Sequence, residues 1–423
     1  MNAIETLKQR GFIYQQTHEQ ELTEHLNQSR TFYIGFDPTA DSLHVGSLVP
    51  IMAMVHMQAA GHIPIAIVGG GTARVGDPSG KTEMRKMLSE EQITENEKGI
   101  EVQLKNYLTL DGQQGKLINN KDWLLPLSYI HMLREIGAHF SVNRMMTAES
   151  VRQRMETGLS FLEFNYMILQ AYDFYRLLSD HDCTLQMGGQ DQWGNIVAGI
   201  DLCRRKECQQ QAYGVTFPLI TNSSGAKFGK SESGNIWLDP SRTSPLEFYQ
   251  FWRNVEDTDV KRFMLLFTLL PVDEINTLTE KGSNINRAKE ILAFEATRIT
   301  HGEQQAAKAF ATAVAKFGQA DPKGVMQTSS SIVKVQLEKA VDMPRVALAQ
   351  AELGELTWAD LYIKAELTKT KGEAKRLIRG NGGRYGDTVI QKPDEFVGLD
   401  HFQDGKLILR AGKKRFKLIE LIN

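Results

Sequence analysis

Three cysteines in 423 residues are too few for a disulfide framework, and the spacing of Cys183, Cys203 and Cys208 suits no zinc site. A reducing compartment and no structural metal are therefore expected. No apolar run approaches the ~20 residues needed to span a bilayer. The first 26 residues mix Glu, Gln and Lys, without the apolar centre of a secretory signal or the acid-poor composition of a transit peptide, so a cytoplasmic location is expected. Surplus charge of one sign is also missing: 49 Lys/Arg against 51 Asp/Glu leave −2, which excludes a surface that is basic all round. Nucleic-acid binding would need a local patch. Residues 358–423 supply one, with 14 Lys/Arg against 9 Asp/Glu, a net of +5 that leaves −7 for the rest.

The chain is too long for one ordinary core, and two or three domains are expected. Strand-like runs at 32–36, 63–68, 117–119, 184–187 and 215–220 alternate with helical patterns up to about residue 239. That alternation predicts an α/β fold built on a Rossmann-like, doubly wound parallel sheet. A helical run at 43–60, closing at Gly61, puts His44 at a helix N-terminus. Ser89 and Gln92 read as a capping box for the next helix. From 244 to 316 only helices are expected, as at 288–300 and 303–316. Gly, Asp, Pro and a triple Ser at 317–331 have the composition of a linker and mobile joint. A small α+β module follows, with helices at 358–367 and 373–379 and strands at 388–390, 406–410 and 415–419. The resulting domain scheme is 1–240, 241–325, a linker region 326–350, and 351–423.

Two short motifs suggest triphosphate chemistry. His44-Val45-Gly46-Ser47 follows a strand and opens a helix, where N–H groups and the dipole favour anions. Lys227-Phe228-Gly229-Lys230-Ser231 brings two lysines three residues apart, beyond a turn at 222–225. Gly35 and Gly46 remove side chains where a nucleotide would approach the backbone. The loop from Gly69 to Lys81 lies at the carboxyl edge of the sheet, where open α/β folds bind ligands, and holds Asp77 between Gly76 and Pro78. On the helix expected at 160–178, Tyr166, Gln170 and Asp173 share one face among large apolar neighbours, and a buried carboxylate there needs a partner. Gln186, Asp191, Gln192, Trp193, Gly194 and Asn195 again join a strand end to a helix start.

Together these segments resemble the class I aminoacyl-tRNA synthetases, whose signatures are HIGH and KMSKS, and within them the bacterial-type tyrosyl-tRNA synthetases. The resemblance spans nearly the whole chain. It is strongest from Tyr33 to His44, at Gly76-Asp77-Pro78-Ser79, at Tyr166, Gln170 and Asp173, and from Gly189 to Asn195. It implies a ligase that attaches L-tyrosine to tRNA(Tyr) through a tyrosyl-adenylate made from ATP, with Mg²⁺ accompanying the ATP, and it implies a homodimer. Tyr33, Asp77, Tyr166, Gln170, Asp173 and Gln186 would surround tyrosine: Tyr33 and Asp173 at the phenol, Tyr166, Gln170 and Asp77 at the ammonium. Gln192 would orient the carboxylate. Thr39 and His44 would bind the γ-phosphate, and Lys81, Arg85, Lys227 and Lys230 would gather around pyrophosphate. Gly35, Asp37, Gly46, Ser47, Asp191 and Ser231 complete the implied ATP site.

This sequence departs from the signatures at Ser47, which replaces the second histidine, and at Phe228 and Gly229, which replace Met and Ser. The basic C-terminal module resembles the α-L RNA-binding fold, implying tRNA contacts from Lys371, Lys375, Arg376, Arg379, Lys413, Lys414 and Arg415. No large insertion separates the signatures, so an editing domain is not expected. The competing readings are a tryptophanyl-type synthetase, a small-molecule adenylyltransferase and a synthetase-derived RNA-binding scaffold.

Overall fold

The computed structural model describes residues 2–79, 87–221, 228–231, 234–337, 345–386, 388–402, 405–412 and 415–422, with backbone alone at 150, 230 and 231. Lys81, Arg85, Lys227, Lys413, Lys414 and the turn at 222–225 lie outside them, as do the side chains of Lys230 and Ser231. The chain forms two compact units, 1–306 with 320–333, and 307–319 with 334–423.

The first unit is built on β1 (Gln15–Gln16), β2 (Thr31–Phe36), β3 (Ile63–Val68), β4 (Lys116–Asn119), β5 (Cys183–Gly189) and β6 (Tyr213–Phe217), in the order β1-β6-β5-β2-β3-β4. All neighbours run parallel except the short edge strand β1, which is antiparallel to β6. The continuous apolar character of β3 fits burial on both faces, and β6 is buried along its whole length. From β2 the chain winds outward to β3 and β4, then returns across the sheet to β5 on the other side of β2. The switch between β2 and β5 opens a crevice at their carboxyl ends.

Three local readings shift. The run at 215–220 forms a strand only over Tyr213–Phe217, because Pro218 has no N–H for the ladder. The run at 43–60 begins with a 3₁₀ turn, Val45–Ser47, and becomes α-helical only over Leu48–Ala59. His44 caps the turn, its Nδ1 accepting from Gly46 N at 3.0 Å. Within the stretch read as a linker, residues 320–333 belong to the first unit and side chains at 328–330 bond to its helices. Thr328 and Ser329 hydroxyls donate to Glu274 at 2.6 Å each, and Ser330 donates to Glu295 at 2.5 Å. The Ser89–Gln92 capping box forms as expected.

Helices Pro245–Arg253, Val260–Phe267, Val272–Leu278 and Ile285–His301 belong to the same unit as the sheet. Their core includes the fully buried Phe248, Tyr249, Trp252, Phe263 and Phe267.

The second unit carries β9 (Arg345–Ala349), β10 (Gly383–Tyr385), β11 (Thr388–Val389), β12 (Lys406–Ala411) and β13 (Arg415–Ile422), in the order β11-β10-β12-β13-β9. Only β13 and β9 run parallel. Helices Trp358–Lys364 and Lys371–Arg379 pack on a core of Trp358, Leu361, Tyr362, Ile378, Leu409 and Ile419. Strands β1, β9 and β10 have no counterpart in the sequence reading.

Candidate active site

The helix Phe161–His181 starts at a capping box in which Glu163 and Ser160 bond each other's backbone N–H. Glu163 also accepts two bonds from Nη2 of the buried Arg154 guanidinium, at 3.0 and 3.2 Å, while Nη1 donates to the Thr157 hydroxyl at 2.6 Å. With its start fixed, this amphipathic helix turns Tyr166, Gln170 and Asp173 toward the switch point, the first and last of them buried. Tyr33 on β2 and Gln186 on β5 are cross-strand neighbours.

Two hydrogen-bonded networks line the crevice. In one, the Tyr166 hydroxyl donates to Asp37 Oδ2 at 2.9 Å, and the Thr72 hydroxyl donates to Asp37 Oδ1 at 2.8 Å. Asn120 Nδ2 donates to Thr72 Oγ1 at 3.0 Å and to Asp173 Oδ2 at 2.9 Å, and Trp123 Nε1 donates to Asp173 Oδ1 at 2.7 Å. In the other, Asn195 Nδ2 faces Gln170 Oε1 at 2.9 Å and Gln192 Oε1 at 3.2 Å. Gln192 Nε2 donates to Asp77 Oδ2 at 2.7 Å, and Ser79 N donates to Asp77 Oδ1 at 2.9 Å.

Burial dominates the electrostatics. It pushes the Asp173 carboxyl up to about 7, against the opposing bonds from Asn120 and Trp123, and nearby Asp37 adds to the rise. Burial likewise raises Asp77 to about 6, opposed by the Ser79 and Gln192 bonds and reinforced by Asp37. Tyr33 is 2% exposed, its hydroxyl has no hydrogen-bond partner among the described residues, and burial followed by the charge of Asp173 raises it well above the ordinary phenol range. Gln186 Oε1 is likewise buried without a partner among the described residues. Unsatisfied polar atoms beside a desolvated carboxylate cost stability, and a polar ligand would offset that cost.

The loop after β3 makes the closest backbone approach. A Cβ on Gly69 would stand 2.0 Å from Asp37 Oδ1 and 2.5 Å from Thr72 Oγ1, so only glycine leaves this network intact. Gly35 is exposed although it lies within β2, and an added Cβ there would meet nothing within 4 Å. That leaves a bare strip of backbone next to Asp37. Thr39 is exposed on the same loop, its N–H bonded to Asp37 O at 2.8 Å.

The two signature segments meet through backbone. Val45 N donates to Ile236 O and Leu238 N to Leu43 O, both at 2.9 Å, and His44 bridges Trp237. Ile236 N donates to Gly229 O at 2.9 Å, and β7 (Lys230–Ser231) pairs with β8 (Gly234–Asn235). Gly229 has φ +89, and its added Cβ would lie 3.3 Å from Gly46 N. Ser47 makes no side-chain capping bond.

Tyr33, Asp77, Tyr166, Gln170, Asp173, Gln186 and Gln192 thus sit on two interlocking sides of one crevice, with Asp37, Gly35, Thr39, His44 and Gly46 on the segments at its edge. Asp191 is half-buried within the turn that carries Gln192. The sequence reading missed Asn120 and Trp123, which donate to Asp173, and Thr72, which links Asn120 to Asp37, and it assigned no role to Asn195. A strand ending in Asn119-Asn120 is the one signal that points to a buried amide there. In the second unit, Arg376 and Arg379 are exposed on the helix Lys371–Arg379. Lys371 pairs with Asp360 at 2.5 Å and Lys375 with Asp394 at 2.6 Å, and Arg415 donates to Leu367 O at 2.8 Å.

Residues 25–318 match the family model described as tRNA synthetases class I (W and Y). A tyrosine–tRNA ligase of Desulfosudis oleivorans is 51% identical over 428 aligned positions, covering 99% of each chain. One from Clostridium botulinum is 48% identical over 99% of each. A C-terminally truncated mitochondrial tyrosyl-tRNA synthetase of Aspergillus nidulans superposes with a TM-score of 0.65 at 29% identity, covering 73% of this chain and 92% of that one.

Proposed function

The chain belongs to the tyrosine–tRNA ligases of class I, and on that premise we propose that it charges tRNA(Tyr) with L-tyrosine in two steps. In the first, a tyrosine carboxylate oxygen attacks the α-phosphorus of ATP, and pyrophosphate leaves with the electrons of the broken P–O bond. In the second, a hydroxyl of the terminal tRNA ribose attacks the adenylate carbonyl and AMP leaves. The substrate carboxylate is already a nucleophile, so the first step needs alignment and charge stabilisation rather than a side-chain base. Alignment can contribute on the order of 7–11 kcal/mol, and N–H or cationic donors aimed at the departing phosphates contribute further.

The observation that carries tyrosine as the amino acid is the buried Asp173 carboxyl near a Tyr33 hydroxyl that has no partner among the described residues. A phenol O–H donating to Asp173 and accepting from Tyr33 would satisfy both. Asp77, with Tyr166 and Gln170 nearby, suits an ammonium, and Gln192 suits the carboxylate. Thr39, His44, Lys81, Arg85, Lys227 and Lys230 are proposed to hold the phosphates, with Gly35, Asp37, Gly46, Ser47, Asp191 and Ser231 around the nucleotide. Mg²⁺ would neutralise phosphate charge on the bound ATP.

The proposed domains are a catalytic domain 1–240, a tRNA-contacting helical domain 241–325, a connecting region 326–350 and an α-L RNA-binding domain 351–423. Exposed Arg376 and Arg379 support the RNA role, together with Lys371, Lys375, Lys413, Lys414 and Arg415. A homodimer is proposed as well, on the family resemblance, and the exposed apolar side chains Leu125, Tyr129, Ile130, Leu133, Val142 and Phe161 are candidates for its interface. No described helix is long and apolar enough to cross a membrane, and the proposed location is the cytoplasm.

ATP–pyrophosphate exchange without tRNA, run in parallel with tyrosine, tryptophan and phenylalanine, tests the reading. Exchange with tyrosine alone is expected. Exchange with tryptophan in its place, or with none of the three, would overturn it.

A further inference from the structure

The residue between the first lysine and the glycine of the second signature is an aromatic ring set into an aromatic cage. Phe228 lies 4.6 Å from Phe263, 5.4 Å from Phe251 and 5.5 Å from Trp252, centroid to centroid, and stacks on Phe267 at 5.6 Å and 13°. Two helices, Pro245–Arg253 and Val260–Phe267, supply the cage, and three of its four rings are at most 1% exposed. Phe228 N donates to Ile220 O at 3.1 Å, and the next residue, Gly229, is tied to Ile236 and abuts Gly46. The ring is therefore pinned on the helical side while the adjoining peptide is pinned against the first signature.

We infer that Phe228 is a positioning residue for the phosphate-handling lysines, fixing the backbone between Lys227 and Lys230 relative to His44 and Gly46. The inference rests on the proposed adenylation and deepens it. Multiple ring contacts hold a side chain in one orientation, and a peptide anchored on both sides has little freedom to displace the residues on either flank. The ring is enclosed by four other aromatic side chains and acts through the adjoining backbone, so its effect should appear in the step that generates pyrophosphate and not in the capture of tyrosine.

The test is steady-state tyrosine-dependent ATP–pyrophosphate exchange together with tyrosine binding measured without ATP, on the full chain and its variants. Phe228→Ala should lose about a hundredfold in kcat, the scale of an ångström-sized misplacement, with tyrosine affinity unchanged. Phe228→Met, which refills the cage with a flexible side chain that contacts aromatic rings favourably, should recover to within about threefold of the parent. Phe267→Leu, which leaves Phe228 in place and removes its stacked neighbour, should show the same split in smaller measure, and it decides the matter if Phe228→Ala does not fold. Parental kcat in Phe228→Ala, or tyrosine binding lost in step with kcat, overturns the positioning role. A parent without tyrosine-dependent exchange overturns the functional reading, and the positioning role falls with it.

Discussion

Lowering the pH from 8 to 6 should weaken tyrosine binding through Asp173, and the size of the effect follows from the site. The carboxyl is 4% exposed, accepts one bond at each oxygen, and is raised from 3.8 to about 7 by burial. A phenol O–H donating to it favours the charged form, so the ligand selects the ionised carboxylate. At pH 6 about a tenth of the free protein is ionised there, so affinity should fall about tenfold from its value at pH 8, or about 1.4 kcal/mol. Asp77, raised to about 6, adds a factor of about two at pH 6. In Asp173→Asn the steeper component should vanish and affinity at pH 8 should drop by the worth of a charge-assisted bond, about 1.5–3 kcal/mol. Equilibrium dialysis of tyrosine at fixed ionic strength reads both effects. Stability gives a second, ligand-free readout. The folded carboxyl holds its proton to higher pH than the unfolded chain, so the parent loses stability as pH rises from about 4 to 7, by up to about 4 kcal/mol. The melting temperature of Asp173→Asn should therefore gain on the parent across that window. A flat binding profile in the parent, or one that persists unchanged in Asp173→Asn, would refute the assignment.

Arg154→Ala leaves the Glu163 carboxylate buried without its partner, and should cost about 3–5 kcal/mol in urea denaturation; a loss below about 1 kcal/mol would mean that the pair is not desolvated. Gly69→Ala forces Asp37 and Thr72 apart, so overpacking should destabilise by about 1–3 kcal/mol, and tyrosine binding by calorimetry should weaken as Asp37 leaves Tyr166. Charge reversal at Arg376 and Arg379 should lower tRNA charging and reduce the salt slope of tRNA binding by about two, while tyrosine-dependent exchange stays at the parental rate.

What was legible in the sequence depended on how local its cause was. Strand β3 could be read from end to end because six residues of uninterrupted apolar character, closed by glycines, admit few alternatives. The face shared by Tyr166, Gln170 and Asp173 follows from helical period alone. By contrast, β9 is a strand because β13 pairs with it more than sixty residues further on, and β1 is two polar residues that pair only because β6 offers an open edge. The same limit applies within the site. Asn120 and Trp123 reach Asp173 across 53 and 50 residues of chain. Apart from the paired asparagines that close β4, the local pattern around them does not distinguish a buried donor from a capping amide or an ordinary core indole.

The departures from the two family signatures have a common physical basis. The first signature meets the segment that follows the second through backbone bonds from Leu43 and Val45 to Ile236 and Leu238, with Gly229 joined to Ile236 in turn. Those bonds do not depend on which side chain stands at position 47 or 228, so long as glycine holds the positive φ at 229. Position 228 is then free to take whichever residue fills the space between the helices, and here that space is lined by four aromatic rings. The amino-acid pocket has no such freedom. Its geometry is a chain of side-chain bonds from Tyr166 through Asp37, Thr72 and Asn120 to Asp173, and replacing any link leaves a buried donor or acceptor unpaired at about 1–3 kcal/mol. Position 228 therefore accepts only a side chain that refills the aromatic cage, whereas no link of the pocket network can be replaced without leaving an unpaired group.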